Sequence, residues 1–554
     1  MQRGDFRSFL VLLGSTMAAI LLTAALPHVR ANKKTCDLVA PRIEFDRAGL
    51  VSIVAHGSEE IHYTLDGSLP NSTSPRFETA FTPLNERNAQ ELVTIPTSVQ
   101  WRHPVGVQPC AVVVRACAVD GMGRVGAVAT RTFVRENHGG LSVLSLALPA
   151  GAFFDADTGL YVVGNAIFHS DEDFVRRYPD DQKWWKYPGN FLYRGKKAER
   201  SAWLECFLPS GIAGENGSLS ASVKLRINGN NTRGFPQHAL RVLFDKPLEF
   251  PFFGAERGTD IAHAVLRCSG NDQDRTFFRD ALQHKLCEGM PFETSSCVQS
   301  VLYVNGAYWG LHNVRERLDD KELARRYHTQ AKDITILADR LELYEGDVKE
   351  VKRFARFLNQ CEQWDAKATW FADSLNARMD VNGFLHYMAA QIILGNVDWP
   401  DQNVKWWRYT GAPDTVAGPL DGRWRFIMGD SDMGLGMAVG ADYDMFQHID
   451  RHARSPIVRL FKVFMRSKEI EQDFALVLEN QLDGPLSEIR VRSAAREMRD
   501  AISAEMPRHI DRWRRPLTFA RWQQNVQDLL TFVHLRHAAV RAEARDRFSL
   551  STDL

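Results

Sequence analysis

The chain has 554 residues, too many for one ordinary core, so two or three domains are expected. Its composition (44% hydrophobic, 25% charged, 10% aromatic) is that of a folded globular protein. Lys plus Arg and Asp plus Glu both number 68, and a net charge of zero argues against a general binder of nucleic acid or anionic membrane.

Residues 1–31 carry Arg3 and Arg7, then the apolar run LVLLGSTMAAILLTAAL, then Val29 and Ala31 at the spacing signal peptidase prefers. The segment reads as a secretory signal peptide. An uncleaved signal anchor is the alternative, because about 17 apolar residues approach the length that spans a bilayer. Eight cysteines without a CxxC fit disulfides in an oxidising compartment, with the pairing left open. Glycosylation triplets at Asn71, Asn216 and Asn230 point the same way. The expectation is a secreted, extracellular or secretory-lumen protein, membrane-bound only if the leader stays.

Residues 39–136 hold short β-branched runs (RIEFD, LVSIVA, IHYTLDG, AVVVRACAV, ATRTFV) between Gly, Pro, Asn and Asp turns, the pattern of a small β-sandwich. A polar linker, RENHGGLS, follows. The body, 145–550, starts strand-rich, with GLYVVG, SVKLRINGN, RVLFD and CVQSVLYVNGAYWGLHNV, and includes a helix pattern in DRTFFRDALQHKLCEGM. From about residue 346 apolar residues recur at i, i+3 and i+4 and the helical period dominates, and after 450 the chain reads as almost wholly amphipathic helix. The fold class is therefore α+β.

Three stretches carry candidate chemistry. In KLRINGNNTRGFPQHALRVLFD, a Gly/Asn/Thr loop between strands can turn backbone N–H groups toward phosphate, with Arg226, Arg233 and Arg241 adding charge; taken alone, the stretch reads slightly better as a plain hairpin with exposed arginines. In VLYVNGAYWGLHNVRERLDD, Glu316 sits where a strand runs into a helix, as a site residue or as one of a solvated charge cluster. In GNVDWPDQNVKWWRYTG and RWRFIMGDSDMGLGM, a strand pair presents Asp398, Asp401 and Asn403 on one loop and Asp430 and Asp432 on the other. Oxygen donors at one end of a hairpin suit Mg²⁺ or Mn²⁺. The Asp398-x₄-Asn403 spacing equals that of a protein-kinase catalytic loop, and DMG can follow as the metal-binding aspartate and its hinge. Two pairs of turn aspartates are the alternative.

Two resemblances add to this. The turn YTLDGSLPNSTSP resembles the YTxDGSxPT turn of chitobiase C-terminal-like sandwich modules, where Asp66 and Gly67 form the turn. Six motifs in order resemble the CotH protein-kinase family: GLYVVGN with NFLYRGKKAERSAWLECFLPSG, RINGNNTRGFPQHALRV, DRTFFRDALQHKL, LYVNGAYWGLHNVRERLD, GNVDWPDQNVKWWR and WRFIMGDSDMGLG. That resemblance implies an atypical protein-kinase-like domain with a helical C-terminal half, using ATP and a divalent metal on Ser/Thr of secreted or surface proteins. It implies Asp398 as the catalytic aspartate and Asn403, Asp432 and Asp430 as metal ligands. It also implies that Glu316 orients the base or metal, and that Asn230, Thr232, Arg233, His238 and Arg241 line the phosphate loop. Two positions depart from the family. His238 stands where a lysine is usual, and histidine is mostly neutral at pH 7. Gly429 stands where a tryptophan precedes the DxD. A catalytically weak or inactive kinase-like surface or adhesion protein, touching glycan through the sandwich, is therefore the second expectation.

Overall fold

In a computed structural model the structure describes residues 38–548, apart from 58–59, 84–85, 170–182, 210–217, 255–256, 415 and 417. The leader, Cys36 and Asn216 lie outside the described residues.

Short strands closed by side-chain turns build the N-terminal sandwich. Strands β1 (Arg42–Phe45) and β2 (Val51–Val54) form one sheet; β3 (Glu60–Thr64), β4 (Ala111–Val119) and β5 (Val125–Val134) form the other. The Asp46 carboxylate accepts the Ala48 and Leu50 N–H groups at 2.8 Å each and so turns β1 into β2. Ile43, Val51, Ile53, Val112, Val114 and Ala116 meet between the sheets. Asp66 accepts from the Ser68 N–H and hydroxyl at 2.9 and 2.6 Å, which makes it the turn-former that the sequence suggests.

The front of the body is a closed barrel. Strands β6 (Ser142–Ala147), β7 (Arg200–Phe207), β8 (Ser218–Ile227), β9 (Leu240–Leu248), β10 (Ile261–Arg267), β11 (Cys297–Val304) and β12 (Ala307–Glu316) run in the order β10-β12-β11-β6-β7-β8-β9, and β9 closes on β10. Only β6 and β11 pair in parallel. Leu144, Leu204, Leu225, Val242, Leu266 and Val314 fill the barrel. Register puts Arg226 opposite Arg241, Arg241 opposite Val265, and Val265 opposite Arg315, so these arginines share the outer face. GLYVVG is not a strand. The Asp155 side chain takes the Asp157 and Thr158 N–H groups, and the Tyr161 N–H bonds Phe153 O at 2.8 Å, folding the segment into a turn. Its apolar residues pack on a barrel that offers no free edge.

The back half is helical around a second small sheet, β14-β13-β15-β16, made from β13 (Ile334–Ala338), β14 (Glu342–Glu345), β15 (Val404–Tyr409) and β16 (Arg425–Met428). Helix Val381–Leu394 is capped by Asp380, which accepts the Gly383 N–H, and stops at Gly395 in the left-handed region. Among the described residues, Cys117, Cys206, Cys268, Cys287, Cys297 and Cys361 are thiols, so Cys287 does not pair with Cys297 nor Cys117 with Cys110. No described helix is long and apolar enough to cross a membrane.

Sandwich and body meet through buried polar groups. The Thr132 hydroxyl donates to Glu205 at 2.6 Å and lies 2.9 Å from the Ser145 hydroxyl. Burial pushes the Glu205 carboxyl up from 4.5 to about 7, against the pull of Thr132 and Arg131. Below pH 4.5 it is protonated folded and unfolded alike. Between 4.5 and 7 the unfolded chain ionises first, so the group costs stability increasingly as pH rises. Glu205→Gln should therefore leave stability at pH 4 unchanged and raise it at pH 8 by up to about 3 kcal/mol. Urea denaturation at both pH values checks this, and a variant with the wild-type pH slope would refute it.

Candidate functional site

The Asp398 loop is fixed before any charge is considered. It leaves the helix at Gly395, and Trp399 is fully buried. His448 Nε2–H donates to Trp399 O at 2.7 Å and the Ser455 hydroxyl to Pro400 O at 3.0 Å. Asn403, at φ +59°, turns its amide to donate to Asp398 Oδ2 at 2.7 Å. Asp401 faces elsewhere, pairing with exposed Arg340 at 2.9 Å.

One helix clamps the second acidic loop. On helix Arg279–Leu286, Asp280 accepts the Ser431 N–H and hydroxyl at 3.0 and 3.1 Å, and His284 Nε2–H donates to Gly429 O at 3.0 Å. Gln283 donates to Ser431 O and Arg279 to Leu435 O. Burial and the neighbouring Arg315 push His284 down to about 3, so it is the neutral donor this clamp needs. The two loops touch at Gly429, where a Cβ would fall 2.2 Å from Asn403 O. Glycine is thus the residue that lets the loops meet.

Arg267, at the end of β10, is the charge between them. Its Nη2 lies 2.5 Å from Asp430 Oδ1 and 3.3 Å from Asp432 Oδ2, and its Nε 3.6 Å from Asp280. Asp280 also pairs with Arg315. Asn271 gives Asp432 its backbone N–H at 2.9 Å and its side-chain amide at 3.1 Å. Gly270 allows that approach, since a Cβ there would lie 2.3 Å from Asp432 Oδ2. Burial first and Asp430 second push Asp432 up to about 8, against the pull of Arg267. Asp398 is raised by burial and by Asp430, with the Asn403 amide opposing.

The structure thus brings Asp398, Asn403, Asp430 and Asp432 together. The phosphate-loop expectation divides. Asn230 and Thr232 lie on the β8–β9 loop, with Asn230 accepting from Arg194 at 3.2 Å. Arg233 is turned inward and spends its donors on the carbonyls of Gly229, Phe191, Tyr193 and Ile227. His238 is fully buried, its Nε2 3.0 Å from Thr97 O and its ring against Tyr161 and Phe191. Burial holds it at about 3, so it is neutral and cannot stand in for a phosphate-binding lysine. Arg241 stays on the outer face of the barrel, near Asp319 (3.6 Å) and His263 (3.2 Å). Glu316 joins a different cluster: it accepts the Ser296 N–H at 2.7 Å and pairs with Arg326 at 2.8 Å. Arg267, Asn271 and Asp280 escaped sequence reasoning; the only signal was a helix motif whose buried face is polar.

The donors fit a hard divalent cation in kind, being carboxylate and amide oxygens. Among the described residues no three His, Cys, Asp or Glu side chains converge to hold a metal alone. Mg²⁺ binds through one or two carboxylates and completes its shell with phosphate and water. Asp430, with 35% of its side chain exposed, is open to such an ion, whereas Asp432 is 3% exposed and already held.

A family model described as CotH kinase protein matches residues 225–540, and one described as Fn3 associated matches 51–133. No curated protein matches the chain. Among solved structures, a crystal structure of the Helicobacter pylori proinflammatory kinase CtkA aligns at 8% identity and a TM-score of 0.28, covering 56% of this chain and 94% of that one. An overlap that slight carries no argument about this site.

Arg267→Met should strand buried carboxylates and lower the unfolding free energy by about 3–5 kcal/mol. Adding Asp430→Asn should recover part of that loss. Urea denaturation measures both, and a single-variant loss below about 1 kcal/mol would show that Arg267 does not hold the loops.

Proposed function

This chain belongs to the CotH kinase protein family, and on that premise we propose that it transfers the γ-phosphate of ATP to Ser/Thr hydroxyls of proteins, with Mg²⁺ or Mn²⁺. The observation that carries the proposal is the contact at Gly429, which sets Asp398–Asn403 beside Asp430–Asp432.

In this reading Asp398 accepts the proton of the attacking hydroxyl. Its raised basicity, from burial and Asp430, serves that role. The Asn403 amide holds one Asp398 oxygen, leaving the other to face the hydroxyl. Asp430, open on its exposed side, with Asp432 and Asn403 beside it, would hold a divalent ion, which would supply charge neutralisation on the transferring phosphates. Arg241, on the outer face of β9, is the cation left to contact phosphate once Arg233 and His238 are withdrawn. Substrates are secreted or surface proteins. The leader-like residues 1–31 and the triplets at Asn71 and Asn230 support a secretory or extracellular location.

The withdrawal of Arg233 and His238 favours a second reading, a kinase-like surface protein with little or no transfer. A thermal-shift titration with Mn²⁺ and ATP separates them, because specific binding stabilises the native state by mass action. In ³²P transfer assays, Asp398→Asn is expected to lose about 10²–10⁴-fold in rate while keeping the nucleotide shift. Asp432→Asn should abolish transfer with the fold intact. Undiminished incorporation by either variant would sink the assignment, and a wild type with no shift in any nucleotide–metal mixture would favour the second reading.

A further inference from the structure

The far end of the β15–β16 hairpin carries a cluster of cations. One end carries Asn403 and Gly429; Arg408 lies five residues along, about 16 Å at roughly 3.3 Å per residue. There a cavity of about 420 Å³ is lined by Arg353 and Arg356 from helix Lys349–Cys361, with Arg378, Arg408, Asp421 and Trp424. Its cations exceed its anions. Asp421 is taken by Arg423 at 2.7 Å and Arg425 at 2.9 Å, which hold it down at about 2. Glu350 is shared by Arg408 at 3.2 Å and Arg353 at 3.4 Å. Arg356 makes no hydrogen bond or ion pair among the described residues, and Arg378 bonds only the Ser374 carbonyl, at 2.9 Å. Burial lowers the Arg408 pKa, as expected of a guanidinium short of counter-charge.

Aromatic faces hold the cations in place. The Arg408 guanidinium lies 5.6 Å from the Trp424 ring centre, and that of Arg378 lies 5.2 Å from Trp364. Arginines held by ring faces and facing one concavity keep their forked N–H donors for oxygen acceptors, the geometry that binds a phosphoryl dianion. Four arginines against one shared glutamate and one neutralised aspartate leave more charge than a single carboxylate would satisfy.

We propose that this pocket docks a phosphorylated serine or threonine on a protein substrate, away from the acceptor hydroxyl. The proposal rests on the kinase reading for why such a residue is at hand: the pocket would hold the chemistry of the enzyme's own product. Binding itself needs neither ATP nor transfer, so the two readings fail separately.

The test is fluorescence anisotropy on the full chain at about 0.15 M salt, where exposed charge pairs are screened. The probes are a labelled phosphoserine peptide, its serine counterpart, and inorganic phosphate as competitor. The phosphopeptide should bind at least tenfold more tightly than either. The triple variant Arg353→Gln/Arg356→Gln/Arg378→Gln, all at exposed positions, should lose that preference tenfold or more while keeping the wild-type melting temperature. Equal binding of the two peptides, or an undiminished triple variant, would overturn the proposal. Phosphate binding as tightly as the phosphopeptide would replace the protein ligand with a free anion.

Discussion

The Arg267 guanidinium lies among Asp280, Asp430 and Asp432, and the placement of both acidic loops follows from that balance. Burying a charge is costly unless it is paired and hydrogen-bonded, and removing one partner leaves the other stranded. Here Arg267 and Arg315 face three carboxylates, one more than they can neutralise. Burial first and Asp430 second raise both the Asp432 and the Asp398 carboxyl. Arginine thus fixes the geometry and leaves an electrostatic deficit. The site is therefore lined by hard oxygens and short of positive charge, in keeping with the proposed divalent ion.

The same network explains how a barrel and a helical half act as one unit. Asp280 lies on a helix between them and reaches back to Arg267 on β10 and Arg315 on β12. Its neighbours Arg279, Gln283 and His284 hold the backbone of the loop that follows β16. One turn and a half of helix therefore carries the register of the barrel to the DxD loop. Asp272, fully buried, holds that helix start by accepting the Thr276 and Arg279 N–H groups at 3.1 and 3.0 Å.

What the sequence revealed follows from the range of each interaction. The sandwich, the back-half helices and the β15–β16 hairpin are local, written in periodicity and in caps such as Asp380 and Gly395. The meeting of Asp398 with Asn403 was legible because five residues of one loop set it. Barrel closure was not legible, since nothing local says that β9 must pair with β10 to leave no edge. For the same reason GLYVVG, apolar enough for a strand, becomes a turn. Arg267 was invisible because its importance lies in residues 163 and 165 positions away. Arg233 and His238 misled for the opposite reason. Their motif position suggested a phosphate-lining loop, but direction was decided by free carbonyls and by aromatic rings from distant segments.

The substitution of histidine at 238 looks different once its surroundings are known. The position faces Tyr161, Phe191 and Thr97 O, beside the Thr97 hydroxyl bond to Pro236 O at 2.6 Å. This is packing of the loop that precedes β9 against Thr97, which lies between β3 and β4, and against Tyr161 and Phe191 from the segment between β6 and β7. A lysine there would have to bury an ammonium among rings or swing out and leave a void; a neutral imidazole fills the space and meets one carbonyl. Such packing is available because cationic duty can move to the strands. A closed barrel keeps its interior apolar, so charge is confined to the outer face, and register lines Arg226, Arg241 and Arg315 along it. Arg315 is spent on Asp280 and Arg226 on Glu199, which leaves Arg241 as the strand cation nearest in kind to the missing lysine.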